Sequence, residues 1–412
     1  MSQVNITVDY EEMVALLSKD RNEAFGYLME KILNAFLMAE SEEQIGATRH
    51  QRTENRADYR NGTRDRALVT RIGKITLKVP RHRNVPFATM IFENYQRSEA
   101  ALIATMVEMV VQGVSTRKVS NVVEELCGNS FSKSTVSELC KRLDEGIHQF
   151  QNRQLNARYP FVITDAKYLK VRENHAIVSK AFMVAMGITE DGHKEIIGFE
   201  TYETESEATW KRFLSSLKNR GLEDIHMITS DAHGGLIAAL KSIYPEVAWQ
   251  RCQYHFTKNI VQEAPKKEQE GLRTELREMF RAQTIIEARM RRDEIIKDYQ
   301  GVAHKAMEVL DNGFEDAMTV MLLPEEIRIP LRTSNHLERE NGELERRSSV
   351  ISIFPNVASV NRLMGATLME RHDLMSTRSS LFTRLKFSKA IQEAKIHLLE
   401  VASEQIKLLR AA

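Results

Sequence analysis

The sequence predicts a layered α/β protein, a short run of strands set in a chain that is otherwise helical. Three observations predict it. Only 8 prolines and 18 glycines punctuate 412 residues, and apolar residues recur at helical spacing over most of the length. After about residue 155 the period shortens, and the elements follow the order antiparallel strands, helix, strand, helix, strand. Two of those strands end in an acid, Asp165 and Asp231, where sheets of this kind place their sites.

Composition narrows the class. With 42% hydrophobic and 28% charged residues the chain reads as soluble and globular, and no apolar run approaches the roughly 20 residues of a membrane helix. Cys127, Cys140 and Cys252 are too scattered for a disulfide scaffold, and the start lacks a basic then apolar leader, so a cytoplasmic protein is expected. Lys and Arg number 58 against 57 acids, so only the local charge distribution can point to a polyanion partner.

The opening forty residues read as helices, with Met13, Leu16 and Leu17, then Phe25, Leu28, Met29, Ile32, Leu33 and Phe36, on recurring faces. Between Arg49 and Arg83 eleven basic residues face three acids, a local charge of +8. Within this stretch Leu68, Thr70 and Ile72, then Ile75, Leu77 and Val79, alternate about Gly73-Lys74, the pattern of a hairpin with a two-residue turn. Arg71, Lys74 and Lys78 lie on or beside its other face, and Arg81 and Arg83 follow. The hairpin either carries a solvated charged surface or meets nucleic-acid phosphates.

Three helical segments come next, marked by Leu102, Met106, Met109 and Val110, by Val119, Val122, Val123 and Leu126, and by Val136, Leu139, Cys140 and Leu143. Gly113 and Gly128 break them, and Ser132 is an N-cap. A helix-turn-helix and a plain three-helix bundle share this pattern. Lys133, Ser134 and Thr135 open the third helix with the short polar and basic side chains that reach phosphates and base edges.

PFVITD then reads as a buried strand ending in Asp165. YLKVRE and KAFMVAMGITEDGHKEIIGFETY add three strand segments with a hairpin tip at Glu190-Asp191-Gly192. SEATWKRFLSSLKNRG is an amphipathic helix through Trp210, Phe213, Leu214 and Leu217, closed by Gly221, and IHMITSD is a strand ending in Asp231. If the two acid-ending strands are parallel neighbours, their carboxylates converge at one edge. Either acid alone is equally well a turn or helix cap. Metal-dependent phosphoryl chemistry requires a further carboxylate nearby.

From Phe256 to about Pro324 the pattern is helical, with a capping box at Thr284 to Glu287 and punctuation at Pro265 and Gly313. A charge-rich helix follows, in which Asn335, Glu338, Asn341 and Glu345 share a face beside Leu337 and Leu344. Spacing leaves Glu338 and Glu345 both open as the third acid. Cys252 and His255 form a C-x-x-H without the second pair that structural zinc requires, so packing and a hydrogen-bonded or phosphate-facing histidine are expected. No G-x-x-x-x-G-K-[ST] loop occurs, and no nucleotide cofactor is expected.

In order and spacing, YRNGTRDRALVTRIGKITLKVPRHR, QRSEAALIATMVEMVVQGVSTRKVSNVVEELCG, SKSTVSELCKRLD, TDAKYLKVRE, ITSDAHGGL, WQRCQYHFTKNI and RTSNHLERENGELERRSSVISIFPN resemble one family, the mutator-type transposases of bacterial insertion sequences. The resemblance runs from about Gly46 to about Asn361. It implies a DDE enzyme with an RNase H-like mixed sheet and an all-helical insertion, and it carries the three acids onto Asp165, Asp231 and Glu338. Cys252 and His255 match the family's C-x-x-H as supporting residues. The implied division is 1–95 for a helical and basic hairpin DNA-binding region, 96–150 for a helix-turn-helix, 155–260 with 328–375 for the catalytic domain, 261–327 for the insertion and 376–412 for a helical tail. Lys167, Ala232, Glu340 and Ser348-Ser349 depart from the family pattern. Glu340 is expected to add negative charge near Glu338, and the two serines to weaken a phosphate contact.

On this reading the three acids hold two Mg²⁺ (or Mn²⁺) ions and the chain cleaves and joins DNA strands. Its partner is double-stranded DNA, both terminal inverted repeats and target. Arg71, Lys74, Lys78, Arg81 and Arg83 would lie on phosphates and Lys133, Ser134 and Thr135 on the repeats. Joining two ends implies a homodimer, its interface supplied by the hydrophobic N-terminal and tail helices unless these are buried in their own subunit; a nucleoid-associated protein with no membrane partner is expected. Two other classes fit part of the pattern: a DNA-binding regulator with a dead core, and a metal-dependent nuclease or phosphatase that transfers no strand.

Overall fold

The computed structural model describes residues 21–48, 51, 53, 56–70, 73–89, 102–127 and 132–411. They fall into two compact units, Met1–Lys141 and Arg142–Ala412.

In the first unit, helix α1 (Arg21–Ile45) lays Leu37 on a hairpin of β1 (Arg60–Thr70) and β2 (Gly73–His82). Leu68, Ile75, Leu77 and Val79 are buried against it, which leaves Lys78 exposed on the opposite face. The turn differs from the sequence expectation. Thr70 pairs with Gly73, so Gly73 and Lys74 open β2 and are not the turn, because the register Leu68 to Ile75 is the one that turns both side chains inward. Arg71 and Ile72 lie outside the described residues, as do Met13, Leu16, Leu17 and Gly128. Three further helices, α2 (102–111), α3 (Thr116–Cys127) and α4 (Lys133–Cys140), share a small core of Met106, Val119, Val123 and Val136. Gly113, at φ +90°, makes the bend between the first two, and Ser132 caps the last by accepting from the Thr135 N–H at 3.0 Å.

The second unit is a mixed α/β layer structure. After α5 (Asp144–Gln151) come β3 (Phe161–Glu173), β4 (Ala176–Ile188), β5 (Lys194–Tyr202), α6 (Glu207–Asn219), β6 (Met227–Ser230), α7 (Gly234–Ile243) and β7 (Ala248–Arg251). The sheet order is β5-β4-β3-β6-β7, with β3, β4 and β5 antiparallel and β3, β6 and β7 parallel. Side chains alternate between its faces. Phe161, Ile163, Phe182, Val184 and Met227 face one helical layer, whereas Val162, Met183, Ala185 and Ile228 face Trp210, Phe213, Leu214 and Leu240 of α6 and α7. PFVITD and YLKVRE, read from sequence as two strands, form the single strand β3. Asp165 therefore lies within it, two residues past the point where parallel pairing with β6 stops.

Four helices, α8 (Gln253–Gln262), α9 (Gln269–Met279), α10 (Ile285–Tyr299) and α11 (His304–Met318), gather around their own core of Phe256, Leu272, Leu276, Ile295, Leu310 and Phe314. Gly313 does not break α11. It lets the helix approach Arg251 and Phe256, for a Cβ there would stand 2.2 Å from the Arg251 guanidinium and 2.6 Å from the Phe256 ring. The short α12 (Glu325–Leu331), then α13 (Asn335–Ser348), α14 (Val357–Ser376) and α15 (Arg384–Ala411) return to the sheet. In the tail, Phe387, Ala390, Ala394 and Leu398 are buried in the sheet's own core, and Gln405 bonds the backbone of Trp249. Among the described residues no helix is long and apolar enough to cross a membrane.

Helix α13 is held by Leu337 and Leu344, both fully buried and each contributing about 1.5 to 3 kcal/mol. Its rotation is set by two ion pairs to α14. Arg347, buried, binds Glu370 at 2.6 and 3.0 Å and Glu343 at 2.7 Å, and Arg371 grips Glu340 bidentately. Glu340 thus departs from expectation: its side chain is 4% exposed, neutralised by Arg371, and adds no charge beside Glu338. Arg371→Met should lower unfolding free energy in urea by about 3 to 5 kcal/mol because it strands a buried carboxylate, and a Glu340→Leu/Arg371→Met double variant should recover most of the loss. Equal loss in single and double variants would contradict this reading.

Candidate active site

The parallel register pairs Phe161 with Met227, Val162 with Ile228 and Ile163 with Thr229. Carried two residues further, the same offset sets Asp165 abreast of Asp231, which follows β6 directly. The two acids have the same local geometry. Asp165 Oδ1 accepts from the Ala166 N–H at 3.0 Å, and Asp231 Oδ1 from the Ala232 N–H at 2.7 Å. Each carboxylate is thereby held by its own backbone with its second oxygen turned elsewhere.

Helix α13 crosses this edge and brings its polar face to β3. Asn341 Nδ2 donates to Asp165 Oδ2 at 2.7 Å, while Glu338, one turn earlier, meets His255 Nε2 at 3.3 Å and accepts from Ser334 Oγ at 3.2 Å. Glu345, further along the same face, pairs with Lys167 at 3.0 Å with its side chain 73% exposed, against 28% for Glu338. Of these two, Glu338 is the one whose charge is among the main influences on the Asp165 carboxyl.

Burial pushes the Asp165 carboxyl up to about 6. The charges of Glu338 and Asp231 add to the rise, and His255 and the Ala166 N–H oppose it. His255 is pushed up to about 9, first by its contact with the Cys252 side chain and then by the charges of Cys252, Asp231 and Glu338, against its own burial. For Cys252, burial acts to raise the thiol, but His255 and Ser334 together outweigh it and hold the group below its ordinary value. The site is thus acid-rich, with one imidazolium at its rim.

Among the described residues the ligand atoms that come within 4.8 Å of one another are those of Cys252, His255 and Glu338, and Asp165 and Asp231 are not in that group. The charges of Asp231 and Glu338 nevertheless act on Asp165, and the Asn341 Oδ1 beside it is buried with no hydrogen-bond partner. In the sequence Asn341 stands out only as a member of the face that carries Glu338. Ser334 and Arg251 carry no sequence signal. Arg251 lies at the end of β7, stacked 4.2 Å over Phe256, close enough for its charge to interact with Asp231.

The residues proposed from sequence to grip DNA lie apart from these acids in the chain, in the first unit. Lys78, Arg81 and Arg83 are exposed, as are Lys133, Ser134 and Thr135 at the start of α4. Lys74 is in β2, and nothing of its side chain or of Arg71 is described.

Compared with known proteins, the chain matches the family described as Transposase, Mutator family, over residues 1–377. It is 43% identical over 377 residues to the transposase for insertion sequence element IS256 in transposon Tn4001 of Staphylococcus aureus, spanning 90% of this chain and 96% of that one. It is 41% identical over 342 residues to the transposase for ISRM5 of Rhizobium meliloti, spanning 83% and 86%. With the transposase for IS1081 of Mycobacterium tuberculosis it shares 33% over 369 residues, 89% of each.

The raised Asp165 has a measurable consequence. A carboxyl whose folded pKa lies above its unfolded value of 3.8 favours the fold below about pH 4, and that contribution is lost as pH rises through about 6. In EDTA, Asp165→Asn should match the parent in urea unfolding at pH 4 and exceed it by about 3 kcal/mol at pH 7.5. Millimolar Mg²⁺ should then stabilise the parent and not the variant. A stability difference independent of pH would refute the assignment.

Proposed function

Because this chain belongs to the mutator family of transposases, which implies an enzyme that cleaves and transfers DNA, we propose that Asp165, Asp231 and Glu338 are its catalytic acids. On this proposal the sheet of the second unit is an RNase H-like catalytic core interrupted by the helices of 261–327. The observation that carries the reading is that Asp165 lies two residues beyond the parallel pairing of β3 with β6 and Asp231 directly after β6, while the charges of Asp231 and of Glu338 on α13 both act on Asp165.

Mg²⁺ or Mn²⁺, two ions held by the three carboxylates, would supply Lewis-acid activation of the attacking oxygen and neutralise charge at the leaving oxygen. The chain's own side chains prepare the site. The Asn341 amide and Ala166 N–H fix the two Asp165 oxygens, Ala232 fixes Asp231, and Ser334 and His255 orient Glu338. The His255 imidazolium offsets part of the acids' charge, which eases the approach of a phosphodiester to an anionic pocket.

DNA binding is assigned to the first unit. Lys78, Arg81 and Arg83, with Arg71 and Lys74 of the same hairpin, would take phosphates. The three-helix group would act as a helix-turn-helix, with Lys133, Ser134 and Thr135 on the terminal inverted repeats. A homodimer is proposed because two ends must be joined. The tail helix buries Phe387, Ala390, Ala394 and Leu398 in its own subunit but exposes Ile396 and Leu399, and Phe25, Ile32 and Phe36 of α1 are exposed as well, so both helices are available for such an interface.

Linear DNA bearing the element's ends should be cut and joined in Mg²⁺. Glu338→Gln should lose at least ~100-fold in rate and Asn341→Ala ~10- to 100-fold, while Glu345→Gln should stay near the parent. Loss in Glu345→Gln alone would move the third acid. Cut ends that never join would reassign the protein as a plain nuclease, full activity in Asp231→Asn would remove that acid from the catalytic set, and no cutting by the parent would leave only a DNA-binding regulator.

A further inference from the structure

We infer that Cys252, His255 and Glu338 form a second metal site, selective for a thiophilic ion such as Zn²⁺ or Co²⁺ and sharing Glu338 with the acid cluster. One ligand atom from each of the three lies within 4.8 Å of the others. His255 Nε2 and Glu338 Oε1 are 3.3 Å apart, the separation of two ligands bound at roughly 2.0 to 2.1 Å on one tetrahedral zinc.

Cys252 and His255 are one turn apart across the start of α8, the spacing that lets an N-cap residue and the helix's third residue reach one point. The surroundings suit a ligand sulfur. Cys252 is fully buried, the Ser334 N–H donates to Sγ at 3.3 Å, and Sγ lies 3.2 Å from Ser334 Oγ. The same Ser334 Oγ donates to Glu338 at 3.2 Å, so one residue orients two of the three ligands. His255 turns Nε2 to Glu338 and spends no ring nitrogen elsewhere, since its Nδ1 is buried with no hydrogen-bond partner. Packing alone accounts for a buried cysteine, but not for a carboxylate and an imidazole converging on it with a ring nitrogen left over.

Ligand chemistry separates this site from the acids. Thiolate and imidazole favour zinc and cobalt, whereas magnesium keeps oxygen ligands and water. With three protein ligands the fourth position is open. An ion here takes Glu338, so it competes with any ion on Asp165, Asp231 and Glu338. That consequence rests on the proposed function, while the site itself does not.

Metal-free protein titrated with Co²⁺ should develop a near-ultraviolet thiolate-to-cobalt absorption band that saturates at one ion. Cys252→Ser should abolish the band, and Glu338→Gln should weaken Co²⁺ binding at least ~10-fold, while Asp165→Asn should keep the band. Circular dichroism establishes folding, and His255→Gln replaces Cys252→Ser if the latter does not fold. A parent without the band, a band that survives loss of Cys252 or His255, unchanged binding in Glu338→Gln, or loss of the band in Asp165→Asn would each overturn the proposal. DNA cleavage is not read, so failure of the transposase mechanism leaves this outcome unaffected.

Discussion

The parallel pairing of β3 with β6, which leads into Asp165 on one chain segment and Asp231 on the other, is the constraint around which the second unit is arranged. Parallel pairing of β3 with β6 fixes the offset between Asp165 and Asp231, and both strands are anchored by fully buried neighbours, Ile163 and Met227 among them. A one-residue slip would turn every side chain of β6 to the other face, so the core that buries Met227 on one side and Ile228 on the other also locks the acids in register. Repulsion between the acids is then built in. It adds to the burial that elevates Asp165, and His255 and the Ala166 N–H offset part of it.

Helix α13 completes the arrangement by presenting different chemistry on two faces. Leu337 and Leu344 supply the burial, and the Arg347 and Arg371 ion pairs to α14 supply the rotational setting. Buried ion pairs add little net stability over apolar packing, but they penalise any rotation that parts them. That rotation would also carry Glu338 and Asn341 away from the sheet edge. The Lys167 to Glu345 pair ties down the far end of the same face at the surface, where it is worth little energetically. Cys252, Ser334 and His255 hold the near end.

Much of this arrangement is legible in the amino-acid order. Alternation locates the strands, Trp210, Phe213, Leu214 and Leu217 mark the buried face of α6, and Asp231 directly follows its strand. Where local pattern misleads, a longer-range contact overrules it. Gly73 looks like a turn residue, yet the pairing of Leu68 with Ile75 draws it into a strand. Gly313 looks like a helix break and serves instead to let α11 close on Arg251 and Phe256. Asp165 looks like a strand terminus because local pattern cannot tell the end of a strand from the end of one of its two pairings.

The sequence alone determined the periodicities, hence the elements and the faces they bury, and through its ordered motifs the family to which the chain belongs. It also placed Glu338, Asn341 and Glu345 on one helical face, since that follows from spacing along a single helix. The tertiary structure decided which of them meets which partner: Glu338 with His255, Asn341 with Asp165 and Glu345 with Lys167. Such pairings join residues 83 to 178 positions apart, taking His255 to Glu338 and Lys167 to Glu345 as the limits. They depend on how a helix is turned against a sheet, a choice made by the packing of Leu337 and Leu344 and the buried arginines and invisible to any window of sequence.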